Sequence, residues 1–340
     1  ETARKLIGEG VDPSQEKQAN KEKSKEAAQN TFKAIALEWH GNNLDVWSAG
    51  YANKIIRCLE NHLFPDLGNK PISEITPPQL LSCLRKIEDN KAYDMAKKAK
   101  QNAGMIFRYA IQTGKCEWNA AENITGALKG KKTTHFAALD ENEIPAFLDA
   151  LKRNEARIFE RTRRAVWFSL YTFQRPGEVR QAQWSEINLE TKEWRIHEDK
   201  MKMRRAHIVP LSDQAIEILK AQRLEVEMLN TDWVFPSQAK LRDPMSDGTV
   251  NKAIQRLGFG DKTKAHGFRA LARTVIRERL KYDSEVIEKQ LAHKTTNPLG
   301  EAYDRTQFLD ERKTMMQDWA NFVDAQASEN KIIKFNFGNQ

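Results

Sequence analysis

The sequence is poor in cysteine and lacks long hydrophobic runs. Its 340 residues contain three cysteines, Cys58, Cys83 and Cys116, which lie far apart along the chain. Three cysteines at these spacings form neither a disulfide framework nor a zinc pattern, so they point to a reducing, intracellular compartment. No apolar run reaches the ~18 residues that a membrane span needs, and no signal-peptide pattern opens the sequence. Disulfide-stabilised secreted proteins and membrane proteins are therefore excluded as classes.

Two signatures of phosphate chemistry are also missing. The sequence has no Walker-type glycine loop for a nucleoside triphosphate and no group of Asp and Glu residues at metal-binding spacing. Nucleotide hydrolysis and two-metal catalysis are therefore not supported, and we expect no cofactor and no metal. The chain begins with Glu1 rather than methionine, and we expect it to be a fragment of a longer protein.

Positive charge, by contrast, is present in excess and is clustered. The net charge is +8, from 55 Lys and Arg residues against 47 Asp and Glu residues. The excess is concentrated in residues 91–102, 129–132 and 152–164. Two interpretations stay open for each cluster: a solvated helix face, or part of a basic track along the backbone of a DNA duplex. The candidate DNA-binding residues are Lys91, Lys97, Lys98, Lys100, Lys131, Lys132, Arg204 and Arg205.

The pattern along the chain predicts two domains between a charged start and a short tail. Residues 1–30 carry almost no large apolar side chains and are interpreted as a linker. Residues 31–130 have apolar side chains at helical spacing between breakers, which predicts a helical domain whose last helix covers 119–128. A second domain is predicted for residues 135–326, and residues 327–340 are interpreted as a carboxy-terminal tail.

The second domain is predicted to be α+β and mostly α. Trp194 and Ile196 alternate with polar neighbours, and Ala206 and Ile208 do the same, which predicts a β-hairpin with a basic turn. Residues 233–235 are a candidate third strand. The remaining segments have helical spacing, so the predicted class is mainly α with a small antiparallel sheet in the second domain.

Short motifs in this domain contain residues suited to phosphoryl transfer without a metal. Arginines would neutralise charge on the non-bridging phosphate oxygens, a cationic acid would protonate the leaving oxygen, and a tyrosine would attack. Pro176 favours a helix start that leaves Arg175 beside free backbone N–H groups, and His266 lies one helical turn before Arg269. Taken singly, each motif has a common alternative, such as a surface ion pair, a capping histidine or a packed tyrosine. The full set is Arg175, Lys202, His266, Arg269, His293 and Tyr303.

In their order and residues, these motifs resemble those of the tyrosine recombinases, and more closely the integrases of prophages and genomic islands. The matching segments are RPGEVRQAQW, MKMRRAHIVPLS, HGFRALART, LAHK and EAYDR. The resemblance implies that Arg175 and Arg269 clamp the scissile phosphate of DNA. It implies that Tyr303 attacks this phosphate and gives a 3′-phosphotyrosine and a free 5′-hydroxyl.

The resemblance assigns roles to the other three residues as well. Lys202 would be the general acid for the 5′ oxygen, His266 would assist proton transfer, and His293 would hydrogen-bond the phosphate in the transition state. The implied fold is a helical, SAM-like core-binding domain followed by the recombinase catalytic domain.

The resemblance continues into the first domain. The segments TFKAIALEW, HLFPDLGNKPISEIT and MIFRYAIQTG are similar to the core-binding domain of this family, which clasps the duplex opposite the catalytic domain. The basic helix at 91–102 therefore becomes a candidate for the major groove. The opening segment RKLIGEGVDPSQEKQ is similar to the end of the amino-terminal arm-binding domain, and we expect most of that domain to be missing.

The partners that the resemblance implies are double-stranded DNA attachment sites and other copies of the chain. We expect a free monomer that forms a homotetramer on two duplexes, with directionality and DNA-bending proteins as further partners, in the bacterial cytoplasm at the nucleoid. A type IB topoisomerase shares the chemistry, and a catalytically silent DNA-binding relative shares the fold, so both remain as alternatives. The tail KIIKFNF either packs on its own domain or docks on a neighbouring copy.

Overall fold

The computed structural model divides into two compact units, residues 1–133 and 134–340. The residues that it describes are 29–124, 126–129, 138–201, 204–293 and 308–329. Within these ranges, no helix is both long enough and apolar enough to cross a membrane. Each unit has a hydrophobic core of its own.

The first unit is built from helices whose starts are encoded locally. Thr31 begins the first helix by accepting a hydrogen bond from the backbone N–H of Ala34 at 3.2 Å. Pro77 and Pro78 occupy the first turn of the fourth helix, where a backbone N–H has no partner within the helix. The helices are α1 (Phe32–Gly41), α2 (Ala49–Cys58), α3 (Phe64–Leu67), α4 (Pro77–Asp89) and α5 (Tyr93–Gln112), with a π-helical turn at Leu59–Leu63.

Helix α5 lies against the core of this unit along one face. Ala96, Ala99 and Ala103 are fully buried at helical spacing, and Phe107 packs against Phe32 with ring centroids 5.9 Å apart. Burial of the alanine face leaves the lysines of α5 on the other faces of the helix.

The predicted helix at 119–128 is wrong, because the described residues of this range form a 3₁₀ turn at Glu122–Ile124 and no α-helix. Asn119 competes with helix formation: its side-chain oxygen accepts a hydrogen bond from the Ala121 N–H at 3.0 Å. Gly126 then adopts φ +88°, a conformation that ends a helix and that glycine adopts without a steric penalty.

The second unit is α+β and mostly α, as predicted. Its sheet consists of β1 (Ile187–Asn188), β2 (Glu193–Ile196) and β3 (His207–Pro210). Its helices are α6 (Ile144–Arg153), α7 (Glu160–Thr172), α8 (Pro176–Arg180), α9 (Asp213–Val226), α10 (Thr249–Arg256), α11 (Gly267–Glu278), α12 (Ser284–Gln290) and α13 (Leu309–Glu329).

The sheet is antiparallel in the order β1-β2-β3, and the predicted hairpin between β2 and β3 is confirmed. The third strand is β1, whereas residues 233–235 form a single bridge between Trp233 and Gln183. Val234 and Phe235 are both fully buried, so this segment lacks the alternation of a half-exposed strand. Pro236 follows and has no N–H to extend a ladder.

The hairpin also presents a different face of β3 from the one predicted. His207 and Val209 are buried, while Ala206 is exposed and lies outside the strand. Val209 pairs with Trp194 across the ladder. Side chains alternate between the two faces of a strand. The prediction placed Ala206 and Ile208 on the inner face, one residue out of register, and so exchanged the inner and outer faces of β3.

The core of the second unit joins its last helix to its central ones. Trp319 on α13 is fully buried, stacks edge-on against Phe173 at 6.2 Å, and donates from its indole nitrogen to the Leu170 carbonyl at 3.0 Å. Phe168 packs against Trp194 of the sheet. This packing fixes α13 against the helices that carry the site described below.

Candidate active site

Arg175 lies immediately before α8, at the point where an extended segment becomes helical. Glu178 accepts hydrogen bonds from the Arg175 backbone N–H at 2.9 Å and from Nη1 at 2.7 Å. Nη2 of Arg175 donates to the Ala292 carbonyl at 3.2 Å. The Arg175 side chain is 21% exposed and that of Glu178 is 3% exposed. The carboxylate therefore holds the guanidinium from the protein side and leaves part of the arginine accessible.

Arg269 lies in the first turn of α11 and is almost completely buried. Nη1 donates to the Phe173 carbonyl at 2.9 Å, and Nη2 donates to the Leu291 carbonyl at 2.6 Å. Burial lowers the pKa of Arg269 to about 10, and the positive charge of Arg175 acts in the same direction. Carbonyl groups orient this guanidinium without neutralising it, so its charge remains available to an anion.

His293 follows α12 and brings an imidazole against Arg269. Its Nε2 lies 3.3 Å from Nη2 of Arg269, and its Nδ1 lies 2.5 Å from a carboxylate oxygen of Glu288. His293 is therefore held on both sides of its ring.

His266 lies at the start of α11 and contributes a second imidazole to the same region. Partial burial lowers the pKa of His266, and the charges of Arg269, Arg175 and His293 add to this effect. The four predicted residues Arg175, His266, Arg269 and His293 are thus brought together from three separate segments of the sequence.

Two of the carbonyl groups that bind the arginines belong to residues with left-handed backbone. Phe173 has φ +39° and Ala292 has φ +48°. A residue with a Cβ atom is strained in this region by roughly 1–2 kcal/mol. The strain occurs where the chain must aim carbonyl oxygens at Arg269 and Arg175.

A buried polar layer borders this pocket, and the sequence analysis missed it. The Gln290 carbonyl accepts hydrogen bonds from Nε2 of Gln174 and Nε2 of His207, both at 3.1 Å. The Gln290 side-chain oxygen accepts from Arg312 at 2.9 and 2.7 Å. Burial, with the charge of Arg312, lowers the pKa of His207 to about 3, so this ring stays neutral and donates. The layer joins β3, α12 and α13 beside the residues that bind Arg269.

Lys202 and Tyr303 lie outside the described residues, so their predicted roles remain predictions. Two described residues of the same types, Lys200 and Tyr282, are engaged by other side chains. The Lys200 ammonium contacts Glu186 at 2.6 Å and the Gln183 side-chain oxygen at 2.6 Å. The Tyr282 hydroxyl donates to Asp318 at 2.6 Å, and burial with this hydrogen bond raises the pKa of Tyr282 to about 12. Neither side chain is suited to act as a proton donor or nucleophile at a phosphate.

The candidate DNA-binding residues of the first unit lie at the start of α5. Lys97 is exposed, and Lys98 lies over the Tyr51 ring at 5.6 Å from its centroid. Lys97 and Lys100 line a shallow cleft together with Arg108. Lys91 is exposed and precedes the helix at φ +57°.

The other candidate DNA-binding residues divide between the second unit and undescribed segments. Arg204 and Arg205 are exposed beside the hairpin turn. Lys131 and Lys132 lie outside the described residues. Nothing in the described geometry tests these residues as DNA contacts.

The basic cluster at 152–164 has a different character. Four of its arginines form ion pairs within the unit: Arg153 with Asp149 and Glu155, Arg161 and Arg164 with Glu225, and Arg163 with Glu160. Carboxylates neutralise this cluster, which favours a paired helix face over a track for DNA.

Comparison with known proteins decides the family. Residues 32–127 match the model of the phage integrase central domain, and residues 137–309 match that of the phage integrase family. The integrase of Enterobacteria phage P4 is 35% identical, over 97% of this chain and 77% of its own length. The chain belongs to the phage integrase family. It is a tyrosine-type site-specific recombinase, and the matches favour this activity over that of a type IB topoisomerase.

Further relatives support the same assignment for this integrase. The integrase of Shigella phage Sf6 is 34% identical over 95% of this chain and 81% of its own length. Prophage integrase IntS of Escherichia coli K12 is 33% identical over the same shares.

Solved structures show the fold. A lambda integrase (75–356) dimer bound to a COC′ core site is similar with a TM-score of 0.61 at 19% identity, over 78% of this chain and 96% of that one. The Tn1549 transposon integrase in complex with circular intermediate DNA has a TM-score of 0.59 at 13% identity, over 84% of this chain and 99% of that one.

Proposed function

We propose that Arg175, His266, Arg269 and His293 bind the scissile phosphate of a DNA attachment site. The observation that carries the proposal is the meeting of two guanidiniums and two imidazoles in one pocket, where carbonyl oxygens hold Arg269. Such preorganised donors stabilise charge that develops on phosphate oxygens in the transition state.

The covalent step uses two residues known from the sequence motifs. Tyr303 attacks the phosphorus and gives its hydroxyl proton to His266, a 3′-phosphotyrosine bond forms, and the bond from phosphorus to the 5′ oxygen breaks. Lys202 gives its proton to the departing 5′ oxygen. Rejoining runs in reverse, with the 5′-hydroxyl of the partner strand as the attacking group. Arg175 and Arg269 balance the added negative charge throughout.

The assembly is proposed from the solved relatives. One lambda integrase structure is a dimer on a core site and another is a tetramer bound to a Holliday junction, the latter at 18% identity with a TM-score of 0.60. We propose that this chain likewise binds double-stranded DNA and acts as a tetramer on two duplexes. We further propose that the protein integrates and excises a mobile element at the bacterial nucleoid. Directionality and DNA-bending proteins would be its partners in these reactions.

The covalent intermediate gives the decisive test. Tyr303→Phe removes only the attacking oxygen, so duplex binding is expected to stay near normal while adduct formation disappears. The measurement is trapping of protein on a nicked suicide duplex that carries the attachment site, resolved by denaturing electrophoresis. Adduct from Tyr303→Phe would refute the assignment.

Tyr282→Phe is the matched control. It removes the same oxygen from a tyrosine whose hydroxyl is bound to Asp318. This variant is expected to lose some stability and to form adduct at the rate of the unmodified protein.

A further inference from the structure

We infer that Glu288 is a positioning residue of the recombination reaction, which orients His293 and favours its protonated form when a phosphate enters the pocket. The inference rests on the proposed function of the pocket. It concerns a carboxylate that none of the sequence motifs singled out.

The first step is the charge of Glu288 itself. One of its oxygens lies 2.5 Å from Nδ1 of His293, and the other accepts a hydrogen bond from Nε of Arg273 at 2.6 Å. Burial raises the pKa of Glu288, but the hydrogen bonds from Arg273 and His293 outweigh burial and hold the pKa below its usual value. Glu288 is therefore ionised at neutral pH and can only accept hydrogen bonds.

The second step is the position of the proton on His293. Because ionised Glu288 only accepts, Nδ1 of His293 carries a hydrogen. Because a guanidinium only donates, Nε2 accepts from Nη2 of Arg269, 3.3 Å away. In this arrangement both ring nitrogens of His293 are engaged, Nδ1 with Glu288 and Nε2 with Arg269.

The third step follows when a phosphate oxygen takes the hydrogen bond that Nη2 of Arg269 gives to His293, while the carbonyl groups keep theirs. Nε2 of His293 then loses its donor and faces an acceptor, so it must bind a proton from solvent to make a hydrogen bond. The resulting imidazolium donates from Nδ1 to Glu288 and from Nε2 to the phosphate. The carboxylate and the phosphate stabilise the added charge on opposite sides of the ring.

Other charges around the ring oppose or modulate this protonation. Arg269 and Arg175 disfavour a third positive charge, as does His266 when it is protonated. Arg273 weakens the effect of Glu288 by sharing its carboxylate. Among the described residues, the charged or titratable groups that act on His293 or on its partners Arg269 and Glu288 are Arg175, Glu178, His266, Arg269, Arg273 and Glu288.

Glu288→Gln tests the inference because it keeps an acceptor for Nδ1 and removes the charge. Cleavage that needs protonated His293 is fast at low pH and falls as the pH rises. Loss of the carboxylate charge moves this fall to lower pH by about one unit, and it slows cleavage at neutral pH by up to about tenfold. The measurement is the single-turnover rate of adduct formation on a suicide duplex at saturating concentration, from pH 5.5 to 9.

Arg273→Gln is the variant of opposite sign. Without the Arg273 charge, Glu288 interacts more strongly with His293. The pH at which cleavage falls is therefore expected to be higher. Glu285→Gln removes the same charge from the exposed side of α12 and serves as the control, with an unchanged profile. A purely structural role for Glu288 would slow cleavage without moving the profile, and that result would overturn the inference.

A second measurement does not depend on cleavage. Calorimetry of duplex binding in two buffers of different ionisation enthalpy reports the number of protons taken up. The unmodified protein is expected to take up more protons than Glu288→Gln at neutral pH, and equal uptake would contradict the inference. If the unmodified protein forms no adduct but the uptake differs as expected, the proposed function fails while the link between Glu288 and His293 stands.

Discussion

The second unit contains two arginine-rich regions, and Arg269 in one of them and Arg164 in the other are held by different partners. In the cluster at 152–164, carboxylates pair with the guanidiniums, as Glu225 does with Arg161 and Arg164. In the pocket, backbone carbonyls of Phe173 and Leu291 bind Arg269. A carboxylate cancels the charge of an arginine, whereas a carbonyl dipole orients the arginine and leaves the charge to a ligand. Arg175 of the pocket is itself paired with Glu178, so this difference in partners distinguishes Arg269 from Arg164 and does not extend to every arginine of the two regions.

The largest expected effect is on the cleavage rate, and it comes from replacing one arginine of each region, Arg269 or Arg164, with lysine. Arg269→Lys keeps a positive charge but loses the planar fork that two carbonyls orient, so cleavage is expected to fall by about 10²–10³. Arg164→Lys can retain its pairing with Glu225 and is expected to cleave normally. Single-turnover adduct formation by the two variants measures the difference, and equal rates would remove the distinction between the regions.

The next effect is on stability and lies in the carboxylate-paired region. Arg161 is 5% exposed, and it donates to the carbonyls of Pro236 and Ser237 as well as pairing with Glu225. Arg161→Met leaves these acceptors unsatisfied and is expected to lower the free energy of unfolding by about 1–3 kcal/mol. Denaturant titration measures this loss. Cleavage per folded molecule should not change, and a fall would place Arg161 in the site.

A smaller effect on stability is expected when a residue with left-handed backbone is replaced by glycine in each region. Ala292→Gly relieves backbone strain in the pocket, partly offset by the entropy of glycine, so stability is expected to rise by about 0.5–1 kcal/mol. Asn154 has φ +51°, and its side chain bonds the Ile158 N–H and carbonyl at 2.8 and 2.9 Å. Asn154→Gly loses these bonds and is expected to lower stability by about 1 kcal/mol. Thermal melts measure both effects. If the two variants shifted the melting temperature in the same direction, the expected difference between the two positions would be wrong.

The smallest expected effect is on the salt dependence of DNA binding, and it compares a lysine of α5 in the first unit with an arginine of the cluster at 152–164. Lys97 is exposed and lines a basic cleft, so Lys97→Gln is expected to reduce the salt dependence of duplex binding by about one counterion. Arg163 pairs with Glu160 at 2.8 Å, so Arg163→Gln should leave that dependence unchanged. Binding measured over a range of salt concentrations gives both slopes. A slope that Arg163→Gln reduces as much as Lys97→Gln does would favour DNA contact by the cluster at 152–164, and an unchanged slope for Lys97→Gln would contradict its predicted contact with DNA.

Local sequence rules predicted much of the fold and part of the site. The predicted helix start at Pro176, with Arg175 immediately before it, is confirmed, because a first-turn proline acts within a few residues. The motifs around Arg175 and His293 could be identified from a few consecutive residues of the sequence. The 3₁₀ turn at Glu122–Ile124 and the inward face of His207 were not predicted, because they depend on side-chain hydrogen bonds to neighbouring or distant backbone.

The sequence by itself determined the order of the chemical groups, the helical character of the first unit and the mixed character of the second. Tertiary structure alone decided which positive charges remain available. The carbonyls that bind Arg269 come from 96 and 22 residues away, and Glu225 lies 61 residues from Arg164. Periodicity describes which face of an element is buried but does not specify the partner that a distant segment brings to it. A guanidinium becomes a phosphate ligand or a structural ion pair only when that partner is in place.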